Sequence, residues 1–230
     1  MSTISMKSWM TLSCLAALVL AGCQPQATPE AADAAPMTTA AAGEWISLFD
    51  GATLEGWTFN EDTGTFRVEN GVLIVDGPRS HLFYTGPVGD HNFKNFEWKA
   101  DIMTMPGANS GMYIHTEFQP DGWPAKGYEI QVNNSHSDWR RSAGLYGIDD
   151  VREAPAKDNE WFTQHIVVNG SQIVTMVNGD TMITYNEPPN AERPEDMAGR
   201  RLSSGTIAIQ GHDPESVIHY KNIMVRLLPD

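Results

Sequence analysis

Apolar and polar residues alternate with period two through much of the chain beyond position 44. In Tyr128-Glu129-Ile130-Gln131-Val132-Asn133, the residues Tyr128, Ile130 and Val132 share one side and Glu129, Gln131 and Asn133 the other, because strand side chains repeat every second residue. Asn109 to His115 alternates in the same way, with Met112 and Ile114 on one face and Asn109, Gly111, Tyr113 and His115 on the opposite one. Phe66 to Val75 reads as two short strands around Asn70-Gly71, a strong hairpin signal. Asn169-Gly170 and Asn178-Gly179 predict three successive strands between Trp161 and Tyr185. Phe93 to Met105 predicts one long strand, and Gly205 to Gln210 and Val217 to Leu228 two more.

No stretch carries a three-turn helical stripe. One short helix is expected over Ala191 to Arg201, limited by Pro194 and Gly199. The segments 134–160 and 187–204 read as long irregular excursions, and loops of that length usually serve a site or a lid. The pattern therefore predicts an all-β domain over 44–230, a two-sheet sandwich of jelly-roll type with mostly antiparallel strands.

The region before position 44 reads differently. Leu12 to Ala21 is an apolar run after a single basic residue, Lys7, and is shorter than the roughly 20 residues a membrane span needs. It ends in Leu20-Ala21-Gly22-Cys23, which resembles a bacterial lipobox. The expectation is a lipoprotein signal peptide over 1–22, a lipid on Cys23 and a flexible Ala/Pro/Thr-rich linker over 23–43. Gln24 after the Cys suggests outer-membrane sorting, so the expected location is the cell envelope, with the membrane reached through the anchor at Cys23. The chain has two Cys; Cys14 lies in the expected leader, leaving the folded part no disulfide and no Cys metal site. A net charge of −14 argues against nucleic acid as a partner.

The polar strand faces carry a carboxylate, amides and an imidazole, groups that orient or titrate, and they look like the floor of a cleft. A standard glycosidase needs two carboxyl groups beside the bond. The alternate positions Glu129, Gln131 and Asn133 supply one carboxylate and two amides, and Asp101 on a neighbouring strand could supply a second. That pattern disfavours two-carboxylate hydrolysis. No zinc spacing, P-loop, dinucleotide fingerprint or Gly-x-Ser-x-Gly is present, so no cofactor is expected. Asp149-Asp150 and Asp158 could bind calcium in a loop, although an acidic surface turn explains them as well.

Several motifs, in order, resemble the 3-keto-disaccharide hydrolase domain. They are Trp45 to Gly51 followed by Leu54-Glu55-Gly56-Trp57, then Val68 to Leu73, Asn109-Ser110-Gly111, Gly127 to Gln131, Ala143 to Gly147, Glu160-Trp161, and Gly205 to Leu228 with Gln210, His212 and Asn222-Ile223. The resemblance implies a concanavalin A-like sandwich and a glycoside or oligosaccharide substrate oxidised at C3. A C3 ketone acidifies the C2 proton, so one base, donors for an enolate oxygen and an acid for the leaving group suffice. On this reading Glu129 is the base and His115 the acid; Asn109, Gln131 and His212 donate to the ketone or ring hydroxyls; Gln210 lies near the substrate; and Trp123 and Tyr146 stack on a sugar face. A non-catalytic, lectin-like carbohydrate-binding module is the alternative.

Overall fold

The computed structural model describes residues 43–230 and holds two antiparallel sheets packed face to face. The expected leader over 1–22, Cys23 and all of the expected linker except Gly43 lie outside the described residues. Sheet A runs β13 (Asp180–Asn186), β12 (Gln172–Val177), β11 (Phe162–Asn169), β6 (Phe96–Thr104), β15 (Val217–Leu227), β4 (Val72–Asp76) and β3 (Phe66–Glu69). A short β1 (Trp45–Ser47) also pairs with β15. Sheet B runs β10 (Asp149–Val151), β9 (Arg141–Leu145), β8 (Tyr128–Val132), β7 (Ser110–Thr116), β14 (Thr206–Gly211), β5 (Ser80–Tyr84) and β2 (Trp57–Phe59).

The period-two pattern places the core. Trp98, Phe96, Phe162 and Ile166 from sheet A meet Met112, Ile114, Tyr128 and Ile130 from sheet B in one buried cluster. Each large side chain removed from water there contributes roughly 1.5–3 kcal/mol. The hairpin at Asn70-Gly71 turns with both residues at positive φ, 51° and 82°, as a tight primed turn requires. Tyr113, Phe83 and Ala208 form a separate buried cluster on the far side of sheet B, and this outer face carries the candidate site.

The excursions differ from the sequence expectation in two places. Segment 134–160 contains β9 and β10, which extend sheet B beyond β8. The small residues Ser142, Ala143 and Gly144 give β9 no visible alternation, and pairing with β8 makes it a strand. The expected helix over 191–201 contracts to a single 3-10 turn, Glu195–Met197. That segment is held by side chains instead. Arg193 donates to the hydroxyls of Tyr128 (2.7 Å) and Tyr185 (2.6 Å) and to the carbonyl of Arg200 (2.8 Å). Glu187 accepts from the Tyr128 hydroxyl and from the Leu202 amide. The loop is thereby pinned over the end of sheet B.

Candidate active site

A cavity of about 340 Å³ opens on the outer face of sheet B. Its floor comes from three adjacent strands: Asn109 and Tyr113 from β7 and the residue before it, Glu129 and Gln131 from β8, and Gln210 from β14. Alternation alone sends these side chains outward while Met112, Ile130 and Ile209 fill the core. Gly111 lies opposite Gln131 in the β7–β8 register. A Cβ at Gly111 would stand 2.7 Å from Glu129 Oε1 and 2.9 Å from its Cγ, so the bare backbone there makes room for the carboxylate.

Glu129 is 6% exposed and sits at the centre of a polar network. The Tyr113 hydroxyl donates to Oε2 at 2.8 Å, and Gln210 Nε2 donates to Oε1 at 3.2 Å and to the Tyr113 oxygen at 2.9 Å. A guanidinium nitrogen of Arg200 stands 3.8 Å from Oε2. Burial pushes the Glu129 pKa up, while Arg200, Tyr113, Gln210 and His212 pull it back; burial prevails and the group lies above its ordinary value. The same burial, reinforced by the Glu129 charge, raises Tyr113 well above the usual phenol range. The result is one buried carboxylate poised to take a proton, with a cation beside it.

The rim adds a second device. His212 Nδ1 pairs with Asp213 Oδ2 at 2.6 Å, Ser216 Oγ donates to the same oxygen at 2.8 Å, and the Asn109 amide donates to Ser216 Oγ at 2.9 Å. Burial pushes Asp213 up, but the bonds from His212, Ser216 and the Glu215 amide outweigh it and hold the acid below its ordinary value. His212 is thus oriented by an ionised partner. Trp123, 42% exposed, stacks beside His212 with ring centroids 5.2 Å apart. Arg140 covers the Tyr146 ring at 4.5 Å, so a stacking ligand has the other face of that ring. Asn133 staples the loop behind this rim by donating to the carbonyls of Asp138 (3.0 Å) and Arg140 (2.7 Å).

Seven residues expected from the sequence line this cavity: Asn109, Trp123, Glu129, Gln131, Tyr146, Gln210 and His212. His115 does not. It takes a left-handed backbone conformation (φ 53°) where the β7–β14 register shifts, which breaks the alternation and turns its ring away from the cleft. There it packs on Phe96 of the core, donates from Nε2 to the Lys94 carbonyl (2.9 Å) and accepts the Ser203 amide on Nδ1 (3.1 Å). Both nitrogens are used, and burial holds its pKa below the ordinary value. Asp101 is also displaced: it lies on β6 in the opposite sheet, bonded to Thr163 and Asn222 at 2.6 Å each. Gln131 gives one N–H to Asn109 Oδ1 at 2.7 Å and leaves its Oε1 as an unpaired acceptor.

Among the cavity residues that escaped the sequence reading of the site, Tyr113 and Arg200 stand beside Glu129. Tyr113 lay on the right face, and the alternation that placed Glu129 marks it equally. Arg200 comes from the pinned loop, and no local pattern links it to a strand 70 positions away. Asp150 is ion-paired with Arg140 and accepts the Gly147 amide, while Asp158 bonds Thr104 and Ser135. These acids therefore have separate structural partners, and among the described residues no three His, Cys, Asp or Glu side chains converge on one point.

Residues 44–226 match the family of 3-keto-alpha-glucoside-1,2-lyase-like domains. A curated relative, the 3-keto-disaccharide hydrolase of Bacteroides thetaiotaomicron, is 26% identical over 169 residues, 62% of this chain. The match spans 58% of that relative's length. Among solved structures, a candidate glycosyl hydrolase of Parabacteroides distasonis superposes with a TM-score of 0.67 at 20% identity, covering 80% of this chain and 94% of that one. A Bacillus subtilis protein with a galectin-like fold gives a TM-score of 0.57 at 9% identity over 81% of this chain and 96% of that one. These two likenesses establish the fold, a concanavalin A-like sandwich.

Proposed function

The chain belongs to the family of 3-keto-alpha-glucoside-1,2-lyase-like domains, and on that premise we propose that it cleaves 3-keto-glycosides by C2 proton abstraction, elimination at C1 and hydration. The observation that carries this reading is Glu129. It is the single carboxylate on the cavity floor, it is buried, and its pKa is raised. Asp138, at the rim, is paired with Arg140 at 3.3 Å, and Asp196 rides on the covering loop, so neither stands as a buried partner to Glu129. A one-base site suits a substrate whose ketone makes C2–H acidic and does not suit two-carboxylate hydrolysis.

In the proposed reaction Glu129 takes the C2 proton. The C–H electron pair passes through C2–C3 to the ketone oxygen, giving an enolate. Arg200, beside Glu129, is the cation within the cavity that can hold that oxygen. Collapse of the enolate forms the C1–C2 double bond and breaks the C1–O bond to the aglycone. His212, oriented through Nδ1 by Asp213, replaces His115 as the candidate acid and protonates the departing oxygen. Water then adds across the enone, with its hydroxyl on C1 and a proton returned to C2. The net change is hydrolysis.

We place this activity at the cell envelope, on a chain tethered by a lipid at Cys23. The test incubates the full chain with a 3-keto-glucoside and with the matching unoxidised glucoside, following aglycone release. Release from the keto sugar alone is the expected result; equal release from both removes the elimination mechanism. The exposed Trp123 at the rim supports a second reading, a lectin-like module. That reading predicts saturable glycan binding with no product and binding loss greater in Trp123→Ala than in Glu129→Gln.

A further inference from the structure

The cavity floor holds two amide oxygens that nothing in the protein satisfies. Gln131 and Gln210 are each 1% exposed and each lines the cavity, and the Oε1 atom of each is buried without a hydrogen-bond partner. Buried acceptors of this kind are uncommon in folded proteins.

The orientation of both amides is dictated by neighbours that have no choice of role. Gln210 Nε2 faces the Glu129 carboxylate, which in its ionised form only accepts, and the Tyr113 oxygen, whose proton already goes to Glu129. Its Oε1 must therefore face elsewhere. Gln131 is set by a longer chain. The backbone N–H of Asp138 donates to His136 Nδ1 at 3.0 Å, making that nitrogen an acceptor. Asn109 then turns its Nδ2 toward the same nitrogen (3.4 Å) and its Oδ1 toward Gln131, whose Nε2 donates at 2.7 Å. Flipping either glutamine would set donor against donor or acceptor against acceptor.

From this geometry we infer that Gln131 and Gln210 are the specificity-determining pair of the site, each accepting a hydrogen bond from a separate hydroxyl of the bound sugar. The inference rests on the reading of the cavity as a sugar site and goes beyond it. It requires the ligand to present two O–H donors to the floor, and it puts the oxidised carbon elsewhere, since a ketone oxygen cannot donate. A ring lacking either hydroxyl, or carrying it as a methyl ether, leaves a buried acceptor unpaired and is rejected. Sites built around such groups discriminate against the missing hydroxyl far more strongly than apolar pockets discriminate by size.

Calorimetric titration of the full chain with methyl α-D-glucoside and its monodeoxy analogues tests this without any chemical step. Two of the deoxy analogues are expected to bind about 10- to 100-fold more weakly than the parent. In Gln131→Met the parent weakens by a similar factor and one of those two analogues shows no further loss; Gln210→Met removes the penalty of the other. Thermal melts of both variants check their fold, and the analogue series in the unaltered protein does not depend on them. Equal affinity for all analogues, penalties that persist unchanged in both variants, or no binding of the parent overturns the assignment. Cleavage of a 3-keto-glucoside by the same preparation would then show that the proposed reaction stands while the acceptor pair does not.

Discussion

On the outer face of sheet A, Glu97 takes bonds from Arg226 at 3.1 and 2.5 Å and pairs with His165 at 2.9 Å, and Asp101 takes one from Thr163 and one from Asn222. Lys99 and Lys221 lie over Trp45 and Trp161, each 4.0 Å from the ring centroid. On the outer face of sheet B, Glu129 is buried with a raised pKa, two glutamine oxygens are unpaired, and both ring nitrogens of His81 are buried without partners. The two faces draw on similar residue types. Sheet A neutralises its polar groups with one another: Glu97, though buried, has both carboxylate oxygens paired. Sheet B leaves some unsatisfied and covers them with the 187–204 loop and the Trp123 segment. Polarity by itself does not mark a site; polarity that is buried, incompletely paired and beside a cavity does.

The largest expected separation of the two faces comes from neutralising one carboxylate on each. Glu129→Gln should lower aglycone release from a 3-keto-glucoside by about 10²- to 10⁴-fold, the range for losing a general base, whereas Asp101→Asn should leave it within about twofold, given its lack of contact with the cavity. A comparable loss in both variants would erase the distinction. Next comes the space that Gly111 keeps for Glu129. Gly111→Ala drives a methyl against the carboxylate and should cost on the order of 10²-fold in kcat/KM, the scale of a misplacement near 1 Å; unchanged kinetics would mean that the carboxylate relocates without consequence.

Two buried groups on sheet B should also oppose each other in thermal melts across pH. Glu129 binds its proton more tightly folded than unfolded, so its favourable contribution is present below 4.5 and is lost as pH rises through the raised folded value. Glu129→Gln should therefore gain Tm relative to the unaltered protein at pH 8, and gain less at pH 4. His81 behaves conversely. Burial pushes its pKa down from 6.5 to about 3, so stability falls as pH drops through that window, and His81→Phe should flatten the acid limb of the melt. Parallel pH profiles for His81→Phe and the unaltered chain would show that the imidazole is not held neutral. The smallest effect concerns metal. The proposed steps use side chains alone, so chelator should leave cleavage rates within about twofold; abolition by chelator and recovery with calcium would replace that account.

Local sequence determined most of the strands and, within them, the face most side chains take, because in an extended chain the side-chain period follows from backbone geometry. Hence Glu129, Gln131, Tyr113 and Asn109 reach one surface, and the Asn-Gly turns set the hairpin of β3 and β4 and the β11–β12–β13 meander. The tertiary structure decided everything that depends on which strands become neighbours. It put Asp101 in the other sheet, brought Arg200 from a pinned loop to Glu129, and fixed the orientation of the Gln131 amide through a chain that begins at the backbone N–H of Asp138. At His115 it overrode the local pattern, since one left-handed residue shifts the register and exchanges the faces of the strand. Alternation is a property of each segment taken alone. Burial, hydrogen-bond saturation and a shifted pKa belong to atoms from distant segments, and they exist only once the chain has packed.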